Sequence, residues 1–423
     1  MSENNPATAA ELPASGPVFG AEIKRLPLKD LLKRIGPGAV TTASMIGANY
    51  GYDLMWLFFP IIFMGITFMM VTNRLAIVTG MPTIHAIRKY YGPVASGIVG
   101  VAMFLSCLFF TMGNISGTGA GMNLLFGIDW KIGSAIMIAV VVYMYFAKNV
   151  YSKVEKIITL CIILMIAAFY ITLVGVGGPE HRELAKGLFG FKIPEGSLST
   201  ALAFISTNAA VTAGIYGTYL GKEKKWKKDD LFNGVMLTDA VTHIVSVSLI
   251  SGAIVLVGAI VLHPQGLSIK APAQLAEMLV PIMGGGARYI MGLALVGAGF
   301  SSLLANTQRG MVLLGAGLDK DVSLESKFIR YGCLICLAFA MIVCYSYGGS
   351  PTQLILLANI ATSIATPFGG LFMVLMIWRN DLSEGYKKPT GLRICMTVSY
   401  IFAVIMTVSG LSTQIPKIIA LFA

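Results

Sequence analysis

The sequence predicts an all-α protein that crosses a membrane about eleven times, and three observations carry that prediction. First, 56% of the 423 residues are hydrophobic and only 12% are charged, with a mean hydropathy of +0.77. A soluble domain of this size would carry about a quarter charged residues. Second, apolar runs approaching the roughly 20 residues that cross a hydrocarbon core recur along the whole chain. Third, with the N-terminus inside, 23 of the 31 Lys and Arg residues fall in inner loops and helix ends, and seven fall outside. That asymmetry is the positive-inside pattern. It also accounts for the net charge of +11, so no nucleic-acid partner is expected.

Residues 1–20 are small, polar and Pro-containing, and read as a disordered cytoplasmic tail with no cleavable leader. Residues 21–35 set Lys24, Arg25, Lys29, Lys33 and Arg34 between leucines. They read as an amphipathic helix on the inner surface, too charged to cross. Gly36 to about Asn49 is too short for a full pass and reads as a half-helix. Full passes follow at about Tyr50–Ile77, Val94–Met112, Ile132–Ala147, Ile157–Val176, Leu198–Leu220, Val235–Leu262, Ala287–Leu314, Ile329–Tyr345, Gln353–Trp378 and Leu392–Leu411. The last belongs to a terminal unit, residues 392–423.

Two of these passes look interrupted. Gly36-Pro37-Gly38 breaks any helix arriving from Arg34, because Pro37 has no N–H and the glycines leave the backbone loose. Around Thr207-Asn208 and Thr212-Ala213-Gly214 the sixth pass turns polar within an apolar setting. Irregular backbone at membrane depth is tolerated only where protein buries it or it lines a cavity. In transporters such breaks hold the cargo. The two breaks open two blocks of five passes, residues 36–176 and 198–378. An odd number per block makes the second run in the opposite sense, the layout of an inverted-repeat transporter.

Several stretches resemble the NRAMP family of divalent-metal transporters. Gly47-Ala48-Asn49-Tyr50-Gly51-Tyr52-Asp53-Leu54-Met55-Trp56 resembles the family's entry to its second helix, and Asn73-Arg74-Leu75-Ala76-Ile77-Val78-Thr79-Gly80 the exit. Ser301-Ser302 with Asn306-Thr307-Gln308-Arg309-Gly310 resembles its eighth helix. Gly348-Gly349-Ser350-Pro351-Thr352-Gln353-Leu354 and Pro367-Phe368 resemble its tenth. The resemblance covers most of the chain. It implies a LeuT-like fold with helices 1 and 6 unwound around the cargo. The family's Asp-Pro-Gly-Asn falls on Gly36-Pro37-Gly38-Ala39, and its Met-Pro-His on Val211-Thr212-Ala213. The breaker is kept, but the acidic and thioether metal ligands and the histidine tied to proton movement are not.

The candidate binding residues are therefore Gly36, Pro37, Gly38, Ala39, Thr41, Thr42, Thr207, Asn208, Val211, Thr212, Gly214 and Tyr216. For any single threonine the plainer role is to re-bond a carbonyl of its own helix. Asp239 and His243, one turn apart, could relay an ion or proton. Packing of the inner vestibule is the plainer reading of that pair. Asp53 reads as a rim residue, and Lys222–Lys228 as an inner-leaflet anchor. The six cysteines, with Cys333 and Cys336 in a CxxC, read as packed thiols.

The resemblance implies transport of a divalent cation by alternating access. The neutral site chemistry favours hydrated Mg2+, which sheds water reluctantly, over Mn2+ or Fe2+. The alternative is a small anion such as bicarbonate on a half-helix N-terminus; an ion channel is a further one. No HExxH or GxSxG appears, and neither an enzyme nor a cofactor is expected. The remaining partner is the lipid bilayer, expected to be a bacterial plasma membrane, in which a monomer suffices. If the alignment at the breaks holds, Ala39→Asp combined with Val211→Met should create Mn2+ binding. Calorimetry of the double variant against the unaltered protein tests this.

Overall fold

In a computed structural model, residues 37–146, 151–219, 228–383 and 388–422 are described. The tail, the amphipathic segment 21–35, Gly36 and all of the Lys222–Lys228 run except Lys228 lie outside them. Among the described residues the regular structure is entirely helical. The first block holds α1 (Pro37–Tyr50), α2 (Phe58–Thr79), α3 (Thr83–Phe126), α4 (Trp130–Phe146) and α5 (Tyr151–Gly175). A surface helix α6 (His181–Phe189) follows. The second block holds α7 (Leu198–Asn208), α8 (Val211–Gly217), α9 (Val235–Val261), the short α10 (Pro272–Glu277) and α11 (Val280–Met283), α12 (Ala287–Gly317), α13 (Lys327–Ser346), α14 (Pro351–Ala361) and α15 (Ala365–Trp378). The chain ends in α16 (Thr390–Phe422). Among the described residues eight helices are long and apolar enough to cross a membrane, and Trp130–Phe146 and Thr159–Gly175 are shorter apolar ones. With the half-length α1 they make the eleven passes expected.

Three boundaries differ from the sequence reading, each for a physical reason. The third pass runs on to Phe126 instead of ending near Met112. The stretch beyond Met112 is rich in Gly, Ser and Thr, which lowers its apolarity. Those small residues are a packing face. A Cβ on Gly121 would sit 2.8 Å from the Gly292 carbonyl oxygen, and one on Gly299 would sit 3.1 Å from the Thr118 nitrogen. Further along, a Cβ on Gly310 would lie 2.9 Å from the Cys107 Cβ, and one on Gly100 would lie 2.7 Å from the Gly317 Cα. The contacts run in opposite senses along α3 and α12, so these two helices lie antiparallel at near-backbone distance. Lipid gives no hydrophobic drive between helices, so close van der Waals packing through small residues takes its place.

At its inner end α3 is kinked. Gly92 has φ 89° and ψ 174° just before Pro93, which sets the short piece Thr83–Tyr91 apart from the long shaft. The third difference is in the tenth pass, which is interrupted by a 3-10 turn at Thr362–Ile364. Thr362 Oγ1 donates to the Asn359 carbonyl at 2.6 Å, and Ser106 Oγ of α3 donates to the Thr362 carbonyl at 2.9 Å. The freed backbone is thus satisfied by hydroxyls.

The half-helix α1 lies along α9. A Cβ on Gly47 would sit 2.1 Å from the Val255 carbonyl, and one on Gly258 would sit 3.1 Å from the Ser44 carbonyl. Gly47→Leu would put its branch into α9 backbone. Overpacking costs about 1–3 kcal/mol, so this variant should lower the thermal unfolding midpoint in detergent, measured beside a lipid-facing control such as Ile335→Leu.

Candidate functional site

The site is built where α1 starts, where α7 gives way to α8, and where α14 bends. Pro37 occupies the first turn of α1, where its missing N–H costs nothing. Gly38 follows, and a Cβ there would be 2.7 Å from both amide atoms of Asn359 on α14. Gly38 therefore admits an amide side chain against the first turn of α1. From the other side Gly113 of α3 leaves 3.7 Å between its would-be Cβ and Asn359 Oδ1. Asn359 is only 1% exposed, and its Nδ2 has no hydrogen-bond partner. The Nδ2 of Asn114, next along α3 from Gly113, has none either.

The second break falls at Ala209 (φ −117°, ψ 43°) and Ala210 (φ −67°, ψ 116°). This corrects the expectation that the backbone unwinds near Thr212–Gly214, because those residues wind into α8. Asn208 closes α7. Its Nδ2 donates to the Phe204 carbonyl at 2.8 Å, and its Oδ1 accepts from Ser251 Oγ of α9 at 2.9 Å.

The register between α1 and α9 places these groups at one level. Ser44, Gly47 and Ala48 face Gly258. Stepping back about 9–10 Å along both helices, at 1.5 Å per residue, brings Thr41 level with Ser251, and hence with the break at Asn208.

The candidate residues now divide. Thr42 Oγ1 donates to the Gly38 carbonyl at 2.8 Å and Thr207 Oγ1 to that of Ala203, which is the plainer role foreseen for them. Thr41 Oγ1 and Thr212 Oγ1 are buried and have no partner. Ala39 and Val211 are buried members of the main apolar cluster. Gly214 packs on α2, its would-be Cβ 3.2 Å from Thr72 Oγ1. Tyr216 lies under the Arg309 guanidinium, 5.4 Å from carbon to ring centre. Gly36 is outside the described residues. Asp239 and His243 are not brought to the breaks: His243 is eight residues, about 12 Å along the helix, from Ser251, and both have partners of their own.

Among the described residues no three His, Cys, Asp or Glu side chains gather as a metal-binding group. Cys107, Cys333, Cys336 and Cys344 are free and buried in the packing. Asp53 sits at the outer rim, 3.7 Å from Lys192 Nζ. At the inner rim two contacts tie the end of α8 to the start of α3: His85 Nδ1 and the Tyr219 hydroxyl are 3.0 Å apart, and the Thr83 N–H donates to Thr218 Oγ1 at 3.1 Å. Arg88 of the same piece pairs with Asp319, just past α12, at 3.2 Å.

Sequence reasoning missed Ser251, Asn359 and Asn114. An amide within an apolar run, the signal used for Asn208, was present at both asparagines. Ser251 offered no signal of its own. Ser251→Ala should leave Asn208 Oδ1 without its donor, at a cost of about 1 kcal/mol. Amide hydrogen exchange over residues 205–212 should quicken, while Ser251→Thr should keep the original rate.

Comparison with known proteins agrees with this architecture. A family model described as natural resistance-associated macrophage protein-like matches residues 32–413. The divalent metal cation transporter MntH of Mesorhizobium japonicum is 23% identical over 373 residues, covering 84% of this chain and 80% of the relative. That of Brucella suis is 23% identical over 388 residues, covering 87% and 81%. The manganese transporter of Eremococcus coleocola superposes with a TM-score of 0.65 at 15% identity, covering 96% of this chain and 91% of that one. MhsT in complex with L-phenylalanine superposes with 0.60 at 17%, covering 94% and 99%. The two superpositions speak to fold alone, and it is the LeuT-like all-α fold expected. By the extent of the family match, the chain belongs to the Nramp family.

Proposed function

We propose that this protein is a secondary transporter that carries a small inorganic ion by alternating access around the interrupted first and sixth passes, and that the ion is a small oxyanion such as bicarbonate. One observation carries the choice of cargo. Among the groups left without partners on the elements around the breaks are the hydroxyls of Thr41, Ser44, Thr212 and Ser363, which can donate or accept, and the amide nitrogens of Asn359 and Asn114, which can only donate. A buried donor without an acceptor is costly, and an anion supplies acceptors to several at once. The first turn of α1 holds no acidic residue, and the N-terminal end of a helix favours an anion. Main-chain and amide donors would wrap the ion while the α7–α8 break lets one half of the pass tilt against the other.

The second reading is a divalent cation, favoured by the relatives, which are described as divalent metal cation transporters. A cation stripped of water at membrane depth calls for carboxylate ligands. Hydroxyls and amides suit one that keeps its shell, so Mg2+ fits this site better than Mn2+. The experiment is uptake into proteoliposomes, with protein-free vesicles as the baseline. Bicarbonate flux without Mn2+ or Mg2+ flux is expected. Mg2+ uptake with no bicarbonate flux would overturn the oxyanion in favour of the second reading, and flux beyond about 10⁵ ions per second would point to a channel rather than the μs–ms conformational cycle of a carrier.

A further inference from the structure

Arg309 sits in α12, eight residues before its inner end at Gly317. Most other cations on these helices are tied down. Arg393 Nε donates to the Ile377 carbonyl at 2.8 Å, Arg288 Nε to that of Leu124 at 3.0 Å, and Lys131 Nζ to that of Tyr345 at 2.8 Å. Arg88 has Asp319. Arg309 differs: its Nε is buried and makes no hydrogen bond, and no carboxylate pairs with it among the described residues. Its guanidinium lies over the Tyr216 ring on α8. The side chain is half-buried, and a ring face offsets only part of the cost of a partly desolvated guanidinium. The residue is also held in place. Beside it Gly310 packs against Cys107 of α3 at near-backbone distance, so the charge stays with the α3–α12 pair. Tyr216 follows the Ala209–Ala210 break by six residues, on the inner half of the interrupted pass.

We propose that Arg309 is a second anion-binding station on the inner side of the α7–α8 break, where its planar fork receives two oxygens of the departing oxyanion and sets the sign of charge that passes. This rests on the oxyanion reading above. A guanidinium matches a planar, two-oxygen anion in a way a point charge does not, so the partner class is carbonate-like or carboxylate-like.

The test uses Arg309→Gln and Arg309→Lys in the full-length protein reconstituted in neutral-lipid and in anionic-lipid vesicles, with bicarbonate as the probe. Both variants are first compared with the parent for elution volume and thermal midpoint. Arg309→Gln should raise the KM for bicarbonate about tenfold or more, the effect of losing a charge-assisted pair, and Arg309→Lys should recover part of it. The shift should be the same in both lipids. An unchanged KM in Arg309→Gln, with the parent carrying bicarbonate, overturns the assignment while sparing the oxyanion reading. A parent that carries no bicarbonate overturns both. A shift confined to anionic vesicles also overturns it, because the partner of Arg309 is then a lipid headgroup.

Discussion

Backbone-to-backbone contact between helices is the constraint on which the rest of this molecule depends. Gly47 of α1 meets Val255 and Gly258 of α9, and Gly100, Gly121, Gly292 and Gly317 bring α3 and α12 together. Inside a bilayer these crossings cannot draw on the hydrophobic effect, since the lipid is as apolar as a leucine. They hold because nothing stands between the two main chains. A crossing without side chains also has little freedom to slide. The α1–α9 register is therefore fixed, and it is this register that brings Thr41, Ser251 and Asn208 to one height.

Polar groups at that height follow one rule. Most hydroxyls in the helices return to a carbonyl of their own turn, as Thr42, Thr207, Ser116 and Thr118 do. Those beside the breaks include several that do not. A helix end at membrane depth leaves amides and carbonyls without partners, and the neighbouring side chains either close that account, as Asn208 does with Ser251, or leave it open, as Asn359 Nδ2 does. Asn359 meets Gly38, and Thr41 stands level with Asn208 by the α1–α9 register. Selectivity in such a site depends on what the unpaired groups can accept or give, not on a ring of formal charges.

Much of this was legible in the chain. Eleven passes follow from apolar length, and Pro37 marks the start of α1 because proline punctuates a helix locally. The resemblance implied that the family's acidic ligand is replaced at Gly36 beside the Pro37-Gly38 anchor, and its thioether ligand at Val211 in the sixth pass. What escaped has a common cause. The sixth pass breaks at Ala209-Ala210, two residues of the highest helix propensity, so tertiary contacts and not local preference open it. The outer third of α3 looked too polar for a helix because its small residues face α12 and not lipid. Asn359 becomes a site residue only through its approach to Gly38, more than 300 positions away in sequence.

The kink at Gly92-Pro93 has a mechanical meaning. The short piece Thr83–Tyr91 carries His85 and Arg88, which grip Tyr219 and Asp319, yet it joins the α3 shaft through a residue whose φ of 89° suits only a side-chain-free position. The piece therefore meets the end of the sixth pass and the α12 end at an angle that a continuous helix would not give, so the kink sets how the inner rim is held together.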